Sequence, residues 1–404
     1  IVQGEGEICF SELLYSLENH EPIPAHIAYK VGDEVRLNGG TTVIEDLSIL
    51  PFPYPDLEQV LAEHKIVYYE ATRGCPFKCA YCLSGISHNV RKRPLAMVLA
   101  DLDRFIAAGA PLVKFVDRTY NLDEQYFLPM MQHLAAADTK ATFHFEIKAD
   151  MLSEKVLDFL ATVPKGRFQF EIGIQSTHKP TLEAINRRDN WEKLAGNVRR
   201  LLAMDNMHIH VDLIAGLPYE NLTTFGKSFD DVYALGAHML QLGFLKVLPG
   251  TQMEQETKEH GLLYMDEPPY EILATKYVPY EDMQLLKRIE NVLDQTSNSG
   301  NFKYCLQALL RSEGLNPFAF YCKLTNWWVE KGFYPQTHNA KGVAEILAHY
   351  IKENCAASSQ ELLEILRYDV FVAVPGWRPE WLDWQSEHIF AKISAFCRDE
   401  EQVI

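Results

Sequence analysis

Cys75, Cys79 and Cys82 lie in the run YYEATRGCPFKCAYC with the spacing C-x3-C-x2-C. Thiolates this close in sequence can wrap one face of a cubane iron–sulfur cluster and leave its fourth iron without a protein ligand. An open iron is where chemistry can happen. A structural zinc site is the competing use, and it needs a fourth ligand, usually from two separated pairs. No second pair follows at finger or ribbon spacing, and His88 is the only histidine soon after the triplet. Gly74, Pro76 and Lys78 make the segment a polar turn, which disfavours a triplet of purely structural buried thiols.

A scaffold must hold this loop. From Lys65 onward, apolar strand-like runs alternate with helical patterns at intervals of roughly 30 residues, the signature of repeated βα units. The strand candidates are Ile66–Ala71, Leu112–Val116, Thr142–Ile147, Phe168–Ile174, His208–Ile214 and Met239–Val247. Helices are predicted between them at Leu95–Ala108, Glu124–Ala137, Ser153–Ala161, Trp191–Leu202 and Phe225–Leu235, where apolar residues recur at spacings of three and four. Parallel strands joined this way form an open sheet or a barrel, and period alone does not separate the two. Either architecture gathers ligands at the carboxyl ends of the strands.

Three domains are expected. Residues 1–60 form an N-terminal segment and linker, with a helix around Ile8–Leu17, a hairpin near Ile27–Leu37 and the proline-rich LPFPYP of Leu50–Pro55. Residues 61–265 form the α/β core. Beyond Pro268-Pro269, residues 266–404 read as a mainly helical domain, with helices at Pro279–Leu293, Phe302–Ser312, Phe318–Glu330, Gly342–Asn354 and Gln360–Phe371. Its Trp327, Trp328, Trp377, Trp381 and Trp384 read as core packing.

Composition narrows the function classes. The chain has 404 residues, 47 % hydrophobic and 23 % charged, which is ordinary for a globular protein. No apolar run approaches the roughly 20 residues needed to span a bilayer, and the front lacks a secretory layout, so a cytoplasmic protein is expected. A net charge of −17, from 55 acidic and 38 basic side chains, repels polyanions and argues against a nucleic-acid substrate. Arg91-Lys92-Arg93, the one short basic cluster, reads as a solvated loop. Cys9, Cys305, Cys322, Cys355 and Cys397 are scattered and read as reduced, incidental thiols.

With Tyr81 just before the third cysteine, the triplet resembles the radical S-adenosylmethionine (SAM) superfamily. Later strand-end motifs look like those of oxygen-independent coproporphyrinogen oxidase and its cobalamin-associated relatives. These are FHFEIKAD with Glu146, FEIGIQS with Gln175, Arg187 in AINRR, and DLIAGLP with Asp212. The resemblance implies a partial (β/α)6 TIM-type barrel and one [4Fe–4S] cluster on the three cysteines. It also implies reductive cleavage of SAM, with a flavodoxin or ferredoxin as external reductant and a small-molecule or metabolite substrate.

It further implies that Glu146 accepts from the SAM ammonium, that Arg187 meets the SAM carboxylate and that Gln175 and Asp212 take ribose hydroxyls. Glu171 lies on the same strand as Gln175. KFVDRTYN brings Asp117, Arg118 and Asn121 to the same mouth, in a loop where many superfamily members carry a Gly-Gly-Glu run that is absent here. Ile1–Leu14 followed by LPFPYP looks like the junction after a cobalamin-binding domain, so cobalamin is expected only with such a domain upstream. The helical C-terminal region fits an accessory domain of a bacterial branch. The alternatives are an iron–sulfur electron carrier or sensor without SAM chemistry, and a radical SAM enzyme that modifies transfer RNA.

Overall fold

The computed structural model describes residues 1–85 and 89–382; His88, Trp384 and Cys397 lie outside the described residues. Six strands form one sheet: Ile66–Tyr69, Leu112–Phe115, Thr142–Ile147, Phe168–Gln175, His208–Ala215 and Met239–Phe244, here called first to sixth. Their spatial order equals their sequence order, and the strands run parallel. All six expected strands are present, the third with the expected bounds. The expected helices between them appear at Leu95–Ala107, Glu124–Ala136, Glu154–Leu160, Trp191–Ala203 and Leu222–Tyr233.

Local chemistry sets the helix starts. Asp123, Ser153 and Asn221 each accept a hydrogen bond from the first turn of the helix that follows, which satisfies a backbone N–H with no helical partner. The strands alternate in burial. In the fourth, Phe168, Phe170, Ile172 and Ile174 are buried while Gln169, Glu171, Gly173 and Gln175 are not fully so. The fifth repeats the pattern with Ile209, Val211, Leu213 and Ala215 buried. Two faces of opposite polarity follow from this period of two.

The chain divides into two compact units along a boundary that passes through the fourth strand. The first comprises Ile1–Glu171 and Glu192–His208. Its core is aromatic: Phe145 packs on Phe115, Tyr120, Phe168 and Phe170, with ring centroids 4.3–6.0 Å apart. The N-terminal helix spans Gly6–Glu18, and the hairpin pairs Ile27–Val31 with Glu34–Asn38. Leu50–Pro55 is irregular, yet its Tyr54 hydroxyl accepts the Tyr68 N–H at 2.7 Å and donates to the Tyr68 carbonyl at 2.9 Å. That contact blunts the edge of the first strand.

Arg91 and Arg93 are not solvated. Both are buried, Arg91 against Glu5 and Arg93 against Asp101, because a buried guanidinium requires an anion beside it.

The second unit comprises Ile172–Trp191 and Ile209 onward. Helices at Tyr280–Gln295, Lys303–Glu313, Pro317–Glu330, Ala340–Asn354 and Ser359–Ala373 follow the expected ones closely. Gly226 is required by close packing, since a Cβ there would lie 2.4 Å from the Phe318 ring. Trp327 and Trp328 are buried, as their reading as core residues anticipates. Among the described residues no helix is long and apolar enough to cross a membrane.

Arg167 ties the first unit together. Its guanidinium donates to the carbonyls of Leu134, Ala137 and Thr139 at the end of helix Glu124–Ala136, the last two at 3.0 and 2.7 Å. Replacing it removes a hydrogen bond from each, and only the Ala137 carbonyl keeps another, from the Thr139 N–H at 3.0 Å. Arg167→Met should lower the unfolding temperature of this unit by roughly 5–10 °C, measured by scanning calorimetry.

Candidate active site

Between the first and second strands the chain makes the cysteine loop. Its base is a ladder two residues long, Thr72–Arg73 against Arg91–Lys92. Gly74 has φ +98°, and a Cβ there would lie 2.2 Å from the Asn89 carbonyl, so only glycine lets the two legs approach this closely. The Cys82 N–H donates to the Cys79 carbonyl at 3.0 Å, which folds the second half of the triplet into a turn. Cys75 is buried beside Thr119, with Sγ and Oγ1 3.7 Å apart, whereas Cys79 and Cys82 are partly accessible. Tyr81 between them is half-buried.

None of the three cysteines forms a disulfide. Among the described residues no three His, Cys, Asp or Glu side chains converge closely enough for a single metal ion. Three cysteines free of disulfides within one loop are the donor set that a cubane takes, each thiolate on a different iron.

The loop after the second strand is braced by main-chain contacts. Asp117 is fully buried and accepts from the Ala71 N–H at 3.0 Å and the Thr72 hydroxyl at 2.6 Å. It thereby fixes the backbone leading into the cysteines. Burial pushes its carboxyl up to about 7 against those two hydrogen bonds. Asn121 grips Lys148 twice, accepting its N–H at 2.9 Å and donating to its carbonyl at 2.8 Å. The structure thus engages both side chains internally.

Glu146 and Glu171 stand in contrasting surroundings. Glu171 lies 3.2 Å from Lys114 and 3.0 Å from His144, and the His144 hydrogen bond, outweighing burial, brings its carboxyl down to about 2. Glu146 is raised instead, first by burial and then by the charge on Glu171, with Arg118 and Lys114 opposing. Glu171 is therefore a committed anion. Of the two, Glu146 gains more from an incoming cation.

In the second unit, Gln175 ends the fourth strand with φ +71°, a conformation uncommon outside glycine. Its Oε1 is buried with no hydrogen-bond partner. Gly173 makes room for its amide, since a Cβ there would meet Gln175 Nε2 at 2.3 Å. Arg187 is held by the Gly173 carbonyl and by Asp189, which pre-set the direction of its planar fork. Asp212 sits half-buried on the fifth strand, on the face opposite Val211 and Leu213.

Sequence reasoning missed Glu220, four residues past Gly216 in the turn after the fifth strand. It is fully buried, and its Oε1 accepts from Ser176 at 2.6 Å and from Ser228 at 2.9 Å. Ser228 in turn accepts the Thr177 N–H at 3.1 Å, and Ser176 the His178 N–H at 3.0 Å. The backbone just after Gln175 is thus anchored to one carboxyl group. The only sequence signal was an acidic residue in an otherwise apolar turn, GLPYE.

Residues 69–232 match the sequence profile of the Radical SAM superfamily. The chain carries a radical SAM domain. Residues 258–404, which follow this radical SAM domain, match a second family, described as "Protein of unknown function (DUF4080)".

The cobalamin-dependent radical SAM methyltransferase TokK of Streptomyces tokunonensis is 23 % identical over 299 residues, covering 66 % of this chain and 43 % of TokK. The radical SAM methyltransferase TsrM of Kitasatospora setae, solved with cobalamin and a [4Fe–4S] cluster bound, has TM-score 0.54. It is 17 % identical, over 67 % of this chain and 58 % of its own. The cobalamin-dependent SAM radical enzyme OxsB, solved in its apo form, has TM-score 0.56 and 15 % identity, over 98 % of this chain and 64 % of its own. These likenesses establish the fold, a partial barrel built on the six-stranded parallel sheet. The chain spans about half the length of the curated relatives it matches.

The Glu220 carboxyl, which in an exposed glutamate titrates at 4.5, is pushed up to about 7 in the fold by burial, against the two serine hydrogen bonds. The stability of its protonated form is fully present below pH 4.5 and is lost as pH rises through 7. Relative to Glu220→Gln, the native chain should therefore lose about 3 kcal/mol between pH 4.5 and 8. Denaturant titrations across that range check the difference.

Proposed function

We propose that this chain is the catalytic portion of a radical SAM enzyme, of methyltransferase type, acting on a small molecule. The observation that carries the reading is the C-x3-C-x2-C loop at the end of the first strand, within residues that match the superfamily profile. Cys75, Cys79 and Cys82 would hold three irons of a [4Fe–4S] cluster and leave the fourth to SAM. When bound, the reduced cluster supplies the electron that cleaves SAM to methionine and a 5′-deoxyadenosyl radical.

The protein's own groups bind and orient. Glu146, raised by burial, accepts from the SAM ammonium and gains a charge-assisted hydrogen bond as it does so. Arg187, its fork directed by Asp189 and the Gly173 carbonyl, takes the SAM carboxylate. Gln175 offers its unpartnered buried Oε1 to a ribose hydroxyl, and Asp212 takes the other. Tyr81 directly precedes Cys82 in the loop. Asp117 and Asn121 act on SAM through the backbone they hold, which carries the cysteine loop and Lys148. A flavodoxin- or ferredoxin-type donor would supply the electron, in the cytoplasm. Cobalamin use is proposed for a longer protein with a cobalamin-binding domain, since the relatives named as cobalamin-dependent extend well beyond the matched region.

Anaerobic reconstitution should give about four irons per chain, and reductant plus SAM should yield 5′-deoxyadenosine. An intact cluster that leaves SAM uncleaved overturns the proposal. Arg187→Ala should weaken SAM binding roughly 10- to 100-fold by calorimetry. Unchanged affinity would favour an electron carrier or sensor.

A further inference from the structure

The ladder that closes the cysteine loop pairs Arg73 directly with Arg91. Directly paired residues of an antiparallel ladder project to one face, and like charges placed so repel each other unless anions lie between them. One anion, Glu70, is a near neighbour of Arg73, and the others come from far away in sequence, the run Gly4-Glu5-Gly6-Glu7.

Glu5 serves both arginines. It receives two hydrogen bonds from Arg91, at 2.5 and 2.9 Å, and lies 3.3 Å from Arg73. Glu7 accepts from Arg73 at 2.6 Å, as does Glu70. The acidic run is itself fixed: Glu5 accepts the Ile44 N–H at 2.8 Å, and Arg91 donates to the Ile44 carbonyl at 2.6 Å. Gly4, at φ +87°, lies so close to the next segment that a Cβ would stand 2.4 Å from the Thr42 carbonyl. The Arg91 side chain is 7 % exposed and that of Glu5 19 %, so the pair is little weakened by solvent. Burial raises the Glu5 carboxyl, but the Arg91 and Ile44 hydrogen bonds and both guanidinium charges outweigh it and keep Glu5 ionised.

The geometry points to Glu5 and Glu7 as positioning residues for the cysteine loop. By neutralising Arg73 and Arg91 they close its base and hold Cys75, Cys79 and Cys82 in place for three-point ligation. The two arginines flank the cysteines in sequence, and without a closed base the segment Gly74–Leu83 would sample many conformations. Ligation by three thiolates requires one. This inference rests on the proposed cluster for its purpose, but the clamp can be measured without iron.

The test compares the native chain with Glu5→Gln and with Glu5→Gln/Arg91→Met, all metal-free, by amide hydrogen exchange. Glu5→Gln should speed exchange across Gly74–Leu83 at least tenfold and leave Thr142–Ile147 unchanged, the latter also reporting an intact fold. The double variant removes the stranded cation with its partner and should recover most of the lost protection. After reconstitution, iron loss to a chelator should be at least tenfold faster in Glu5→Gln. Exchange within twofold of native in Glu5→Gln, or no recovery in the double variant, overturns the clamp. Iron uptake by the native chain judges the cluster separately. A loosened loop in Glu5→Gln with no iron bound by the native chain defeats the cluster and supports the clamp. An unchanged loop with about four irons bound defeats the clamp and supports the cluster.

Discussion

Everything in this chain depends on strands that are greasy on one face and polar on the other. Phe143 and Phe145, Phe168 and Phe170, Val211 and Leu213 are buried, and burial of side chains this large stabilises the sheet by roughly 1.5–3 kcal/mol each. Once those residues point one way, the period of two leaves Glu146, Glu171, Gln175 and Asp212 no choice but the other. A one-residue slip in any strand would exchange the two sets. The hydrophobic core therefore aims the polar residues.

Parallel topology adds the second half of the constraint. Every strand ends at the same edge, so each loop that follows is delivered to one side of the sheet. The cysteine loop follows the first strand, Asp117 and Asn121 the second, and Ser176 the fourth. The polar groups on that side are either spent or kept in reserve. Glu171, Asp117 and Asn121 are fully engaged by neighbours, which makes them rigid supports. Glu146 and Gln175 are half-buried, the Gln175 Oε1 without a hydrogen-bond partner, in surroundings that a ligand's polar groups would relieve.

Much of this was legible beforehand because strands and helices announce themselves through period. The third strand matched residue for residue and the helix expected from Glu124 starts there, whereas the helix expected from Phe225 starts earlier, at Leu222 behind its Asn221 cap. Short elements were not legible. A two-residue ladder such as Thr72–Arg73 with Arg91–Lys92 has no period to detect, and so Arg91-Lys92-Arg93 read as a solvated loop. Its burial is caused by Glu5 and Asp101, one of them 86 residues away. Glu220 escaped notice because a lone acid in a turn gains meaning only from the serines that close on it.

The residue types and local order were decided by sequence alone: three cysteines within one turn, the alternation of each strand, the caps, and the acidic balance. These depend on neighbours a few positions apart, where chain connectivity already sets the distance. Tertiary structure alone decided which charges meet. Glu5 reaches the base of the cysteine loop, Glu171 settles between Lys114 and His144, and Glu220 anchors the backbone after Gln175. Such pairings depend on distances through space that only the packed strands define. Low dielectric around them then turns modest attractions into fixed positions.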